Sequence, residues 1–281
     1  MILGGAMRIA SNAGQTIFSL AIIALGVISL ATGHFASLWQ PVPKDLPARL
    51  ILAYANGVLM VGLGAGLMSR GLQARAALAL GVYFVLWLVL LHGPIVAASP
   101  AVADHWPGFG ENATLIVGAL LLYAVAPMTA EPGWTQWLRG DAGVRTGRVM
   151  FALAAFLMSL DNLAYLRANA DFPPGWIPHW MGWGYLVGCG FIAMGLAVLS
   201  GIAARLATCL AAWMMSALTL LCWVSFVLQA PRSRVNWTGL MVSSALTGTA
   251  WLVAASYRGT AWLAATSRSP SAVHDRPERS P

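Results

Sequence analysis

Eight apolar runs, each near the length of a membrane crossing, constrain this chain more than any other feature. They occupy roughly residues 16–33, 50–68, 76–91, 113–126, 149–166, 182–199, 206–228 and 239–257. A helix needs about 20 apolar residues to cross the hydrocarbon of a bilayer. Barrel strands would be about half as long and would alternate in polarity, and these runs do not alternate. Lipid offers backbone polar groups no partner, so an isolated crossing segment must be a helix. The runs predict an all-α membrane protein of eight transmembrane helices.

Composition agrees. Only 9% of the 281 residues are charged and 59% are hydrophobic, whereas a soluble domain carries about 25% charged residues. So few charges cannot cover a water-facing surface of this size. The net charge is +7, but the arginines stand singly or in small groups between apolar runs. No basic stripe of the kind that binds nucleic acid is present. Their distribution predicts orientation instead. With the N-terminus, even-numbered loops and tail on one side, that side holds 11 Lys and Arg residues and the other holds 5. Both termini are therefore expected in the cytoplasm, with the protein in a bacterial inner membrane. The first run is expected to be retained rather than cleaved as a signal peptide, because it is long and because it is the first member of a repeat.

That repeat is visible as a constant shift along the chain. The shift pairs Pro43 with Pro174, Pro47 with Pro178, Tyr54 with Tyr185, Gly57 with Gly188 and Gly64 with Gly195. After a single deletion it pairs Gly71 with Gly201, Arg75 with Arg205 and Gly118 with Gly248. Four crossings per copy give both copies one orientation, so the expected architecture is two parallel four-helix bundle repeats. The boundaries are 1–130 for the first repeat, 131–148 for a cytoplasmic linker, 149–260 for the second repeat and 261–281 for a disordered cytoplasmic tail. Gly62/Gly66 and Gly184/Gly188 have GxxxG spacing, which predicts close helix packing at those glycines. The outer connections, 35–49 and 167–181, are rich in Pro and Trp and suit the headgroup region.

Several residues then resemble the DoxX-like family of four-helix membrane proteins, here in tandem. They are Gly33-His34-Phe35 at the end of the first run, Pro41-Val42-Pro43, Tyr54 with the Gly-rich second run, Arg75 opening the third, and Glu111-Asn112 followed by Gly118-Ala119-Leu120. The second half matches more weakly, with Tyr165 where His34 would be. The family includes a small subunit linked to thiosulfate:quinone oxidation. The resemblance thus implies a non-catalytic or quinone- or lipid-linked subunit, with membrane lipids and a redox subunit as partners.

The residues themselves offer one candidate pocket. His34 ends the first run, Tyr54 and Asn56 lie in the outer third of the second, His92 ends the third, and Glu111 with Asn112 opens the fourth. All fall at one level, facing the periplasm. By the repeat offsets His92 corresponds to Cys222 and Glu111 to Met241 or Val242, so the first copy is expected to hold the site and the second to act as scaffold. Asp161 is the deepest ionisable residue and a candidate proton or ligand contact. Nothing matches a nucleotide-binding loop, a catalytic nucleophile motif or metal-ligand spacing, so no metal is expected and quinone is the one cofactor suggested. Cys189, Cys209 and Cys222 form no CxxC pair and are expected to be buried and apolar. A small-molecule or ion transporter and a membrane scaffold for a partner protein are the alternative readings.

Overall fold

The computed structural model describes the backbone of residues 2–37, 39–102, 104–127, 133–164, 176 and 178–264. Its helices are α1 (Ile2–Thr32), α2 (Arg49–Met68), α3 (Gln73–Trp87), α4 (Gly93–Ala98), α5 (His105–Val125), α6 (Gly140–Leu163), α7 (Trp180–Ser200), α8 (Ala204–Leu218), α9 (Val224–Gln229) and α10 (Arg234–Ser256). A single π-helical turn joins α3 to α4 at Leu88–His92, and another joins α8 to α9 at Thr219–Trp223. Among the described residues, eight segments are long and apolar enough to cross a membrane, counting α3–α4 and α8–α9 as one each. This is the build of a polytopic membrane protein. The expected tail, 261–281, lies outside the described residues from 265 onward.

Three boundaries differ from the sequence expectation, each for a local reason. The third crossing does not stop at His92 but runs on to Ala98. Gly93-Pro94 looks like a stop, because proline lacks an N–H and clashes with the preceding turn. The π-turn takes up the misfit just ahead of it, with the Gly93 N–H reaching back to the Leu88 carbonyl. The fourth crossing starts at His105, two turns before Asn112, because Pro107 falls in its first turn, where a missing N–H costs nothing. The fifth starts at Gly140, inside the expected linker. Its arginines look loop-like but serve as caps. Arg139 donates to the carbonyls of Tyr123 and Ala126 at the end of α5, and Arg148 donates to the Ser256 carbonyl and hydroxyl at the end of α10. Cations are favourable at helix C-termini, where carbonyls are unpaired.

Helices α5 and α10 form the centre. In each, 72% of the crossing is buried, against 28–44% in the other six. They touch each other, and each is flanked by helices from both halves of the chain. Helix α10 packs on α1 and α8, and α5 packs on α6 and α3. The outer pairs α1/α2, α2/α3, α6/α7 and α7/α8 complete the arrangement. Helices α1 and α10 pack backbone to backbone at Gly14 and Gly248. A methyl group on Gly14 would sit 2.9 Å from the Gly248 carbonyl oxygen.

The GxxxG expectation holds at Gly66 and Gly188, where an added methyl would meet the Ala76 Cβ at 2.8 Å and Leu163 at 2.7 Å, and fails at Gly62. Gly62 faces open space, with nothing within 4 Å of an added methyl. On α2 the glycines that meet the backbone of α1 lie seven apart. A methyl on Gly57 would meet the Gly26 oxygen at 2.9 Å, and one on Gly64 would meet the Ser19 oxygen at 3.0 Å. In α7, Gly195 takes the same role against the Ala152 oxygen at 3.1 Å, while Gly188 packs on the Leu163 side chain at 2.7 Å. Seven residues are about two helical turns, so both glycines of a pair face one neighbour, whereas Gly62 points about 160° away from Gly64. Cys189 is exposed on α7, and Cys209 and Cys222 are half-buried, all three as free thiols. The expectation of buried cysteines fails for Cys189 because a lipid-facing surface is itself apolar.

Many local features recur at the shift that carries Pro43 onto Pro174. The residues before α2 and α7, Ala48 and His179, both have left-handed backbone, with φ of 54° and 53°. The two π-turns, Leu88–His92 and Thr219–Trp223, share that spacing. So do two indole hydrogen bonds, Trp106 to the Pro100 oxygen at 3.0 Å and Trp237 to the Pro231 oxygen at 2.8 Å.

Candidate functional site

The site is built by the connection between α1 and α2. Helix α1 ends at Gly33, whose φ of +66° turns the chain. The chain then folds back over the bundle end as far as Gln40, while residues 43–48 are exposed. Phe35, Ala36 and Gln40 are buried there, Gln40 with only 2% of its surface exposed. A buried glutamine must find partners for its amide, and this one joins three segments. Its Oε1 accepts from the Ala36 N–H at 2.6 Å, closing its own loop. Its Nε2 donates to Asn56 Oδ1 on α2 at 3.3 Å and to the Tyr83 hydroxyl on α3 at 3.2 Å. The Tyr83 hydroxyl in turn donates to Asn56 Oδ1, and Asn56 Nδ2 donates to Ser29 Oγ on α1 at 3.4 Å.

Trp39, beside Gln40, is held from three directions. Its indole N–H donates to the Glu111 carboxylate on α5. Its carbonyl accepts from His92 Nε2 at 3.2 Å, at the last position of the π-turn. Its ring meets the ring of Trp223 edge-on, with centroids 5.7 Å apart. Arg234, opening α10, donates to the Phe35 carbonyl at 3.1 Å and ties this cap to the second half of the chain.

Beneath the cap lies a cavity of about 20 Å³, walled by Trp39, Gln40, Met60, His92, Asn112 and Val242 among others. That is room for about one water molecule. Asn112 is 4% exposed, and its Oδ1 has no hydrogen-bond partner among the described residues. The cavity exists because the ring above Gly108 is small. A methyl on Gly108 would lie 3.4 Å from the His92 imidazole. At the shift shared by the two π-turns the same pair is Trp223 on Gly239, where the larger indole lies directly against the glycine. The offset read from the sequence matches His92 with Cys222, one position short. The π-turns show that His92 and Trp223 hold the equivalent place, last in each turn.

The structure thus gathers three of the six residues predicted from sequence: Asn56, His92 and Glu111. His34 is exposed. Tyr54 is 43% exposed on α2, with its hydroxyl near Gly33. Asp161 belongs to α6, but its side chain lies outside the described residues. Gln40, Tyr83 and the structural role of Trp39 were not predicted. The available signal was the tyrosine, since a phenol within an apolar run needs a partner for its hydroxyl. Gln40 carried no such signal, because a glutamine between Trp39 and Pro41 looks like an ordinary loop residue. Comparison of the chain with family models, with curated proteins and with solved structures returns no match.

The hydrogen-bonded frame around the cavity spans α1, α2, α3 and α5.

Proposed function

We propose that the chain is a tandem duplication in the DoxX-like manner, set in a bacterial inner membrane with both termini in the cytoplasm. Its first half holds an amphiphile, a quinone or a lipid, at the periplasmic end, with no more than one small group of it entering the cavity. On this reading it is a non-catalytic, ligand-holding subunit of a membrane assembly. The recurrence of π-turns, left-handed caps and indole bonds at one constant shift supports the duplication.

One observation carries the functional reading. The two halves share a frame, yet the place filled by the Trp223 indole in the second half holds His92, a cavity and an unpartnered carboxamide oxygen in the first. Buried amides without partners are costly, so a fold that keeps one beside a cavity has a use for it.

The test is purification in a mild detergent followed by mass spectrometry of bound lipids and quinones. A quinone or one lipid class retained at near-stoichiometric amount supports the reading. Only the bulk lipid mixture of the host membrane, in proportion to its abundance, would contradict it.

A further inference from the structure

The two ends of the helices carry different charge. At the end where α1 leads into α2, exposed Lys44 and Arg232 are matched in number by exposed Asp45 and Asp104. At the opposite end Arg70, Arg75, Arg145 and Arg258 are exposed, and among the described residues Asp141 is the one carboxylate there. The basic surface is best defined where α6 begins and α10 ends. Asp141, Arg145 and Arg148 follow one another at helical spacing, so they share a face of α6. Arg148 donates to the Ser256 carbonyl and hydroxyl and lies over the Tyr257 ring at 3.8 Å. Those partners carry no full negative charge. Arg258 follows Tyr257 directly, and the guanidinium groups of Arg145 and Arg258 form no hydrogen bond or ion pair among the described residues.

The turn ahead of α6 adds a second, independent signature. Residues Gly133–Leu138 form a 3-10 helix, which has three residues per turn, so Trp134 and Trp137 stand on one side of it. They are 65% and 62% exposed. Thr135 between them is buried and accepts from the Tyr123 hydroxyl at 2.6 Å. Arg139 ties the end of the turn to α5. The indole pair is therefore held in place just beyond the end of a crossing. That is the headgroup layer, where an apolar ring and a polar N–H both find partners. A basic surface alone would suit any acidic partner, and the indoles beside it select a bilayer. We infer that this end binds the anionic phospholipid headgroups of the surrounding membrane, with Arg145 and Arg258 taking phosphates and Trp134 and Trp137 seated between headgroups. The inference holds whichever compartment this end faces, and it does not depend on an amphiphile at the cavity.

The experiment is purification of the full chain in dodecyl maltoside supplied with equal amounts of phosphatidylglycerol and phosphatidylcholine of the same acyl chains. Mass spectrometry then gives the ratio of the two lipids retained per protein. An excess of phosphatidylglycerol is expected for the wild type. It should fall by up to about fivefold for each arginine lost in Arg145→Gln and Arg258→Gln. The pair Lys44→Gln and Arg232→Gln, at the balanced end, should leave it unchanged. Raising the salt concentration should also shrink the wild-type excess, because ions screen exposed charges. That measurement keeps the inference testable should the arginine variants fail to fold. Trp134→Ala with Trp137→Ala should lower the retention of both lipids alike. Equal retention of the two lipids by the wild type overturns the inference, as does an excess indifferent to salt or an acidic protein retained in place of lipid. An equal fall in the Lys44 and Arg232 variant would overturn the assignment to this end, and unchanged retention in the tryptophan variant would overturn the part given to the indoles.

Discussion

Gln40 is the residue on which the site depends most. Among the described residues it alone joins the loop, α2 and α3, through the Ala36 N–H, Asn56 and Tyr83. Gln40→Leu keeps similar bulk but leaves the Ala36 N–H without that partner. An unsatisfied buried group costs about 1–3 kcal/mol, so the variant should unfold at a clearly lower temperature in detergent. Tyr54→Phe should leave the midpoint unchanged, because that side chain is 43% exposed and stands outside the network. Equal losses in the two variants would mean that Gln40 is not the hub. The contrast also shows the limit of reading residues from a chain. Tyr54 and Asn56 are two positions apart and read as equally polar, but two residues turn a helix by about 200°. One faces inward and the other outward, and only the neighbours decide which.

At the scale of elements, crossing helices were legible and their ends were not. Length and apolarity fix the crossings, because lipid admits no other structure for such segments. The ends depend on local devices that composition hides: a π-turn ahead of Pro94, a proline in the first turn of α5, and arginines folded back as caps. Gly57 and Gly64, which meet α1, stood out in the sequence only as matches at a constant shift, while motif spacing pointed to Gly62 and Gly66, of which only Gly66 is packed. This yields a direct comparison. Gly57→Leu would force α1 and α2 apart, since even a methyl there meets the Gly26 oxygen at 2.9 Å and Leu30 at 2.7 Å. At Gly62 an added methyl meets nothing within 4 Å, so Gly62→Leu has room. Thermal unfolding in detergent should show a large loss for the first and almost none for the second. The reverse order would place the α1/α2 interface on the wrong face of α2.

At the scale of the molecule, the two halves are interlocked rather than side by side. Each half's first long helix packs against the other half's last, α1 on α10 and α6 on α5. This follows from neither run length nor repeat spacing, because both are local along the chain. An interlocked pair should unfold as one unit, so cutting the chain between residues 127 and 133 should give two fragments that co-purify. Recovery of a folded, isolated first half would contradict that interlocking. The proposed orientation has its own check. Cysteines placed at residue 45 and at residue 264 should react with a membrane-impermeant reagent in whole cells only at the first. Labelling restricted to residue 264 would put the arginine-capped end in the periplasm and invert the assignment.

The central claim is that one half keeps a binding place that the other has filled with an indole. A reciprocal exchange, His92→Trp against Trp223→His, tests it most directly. The readout is the amount of amphiphile that co-purifies per protein molecule. The account predicts that His92→Trp loses it while Trp223→His retains at least the wild-type amount. Equal retention in both variants, or loss only in Trp223→His, would contradict it.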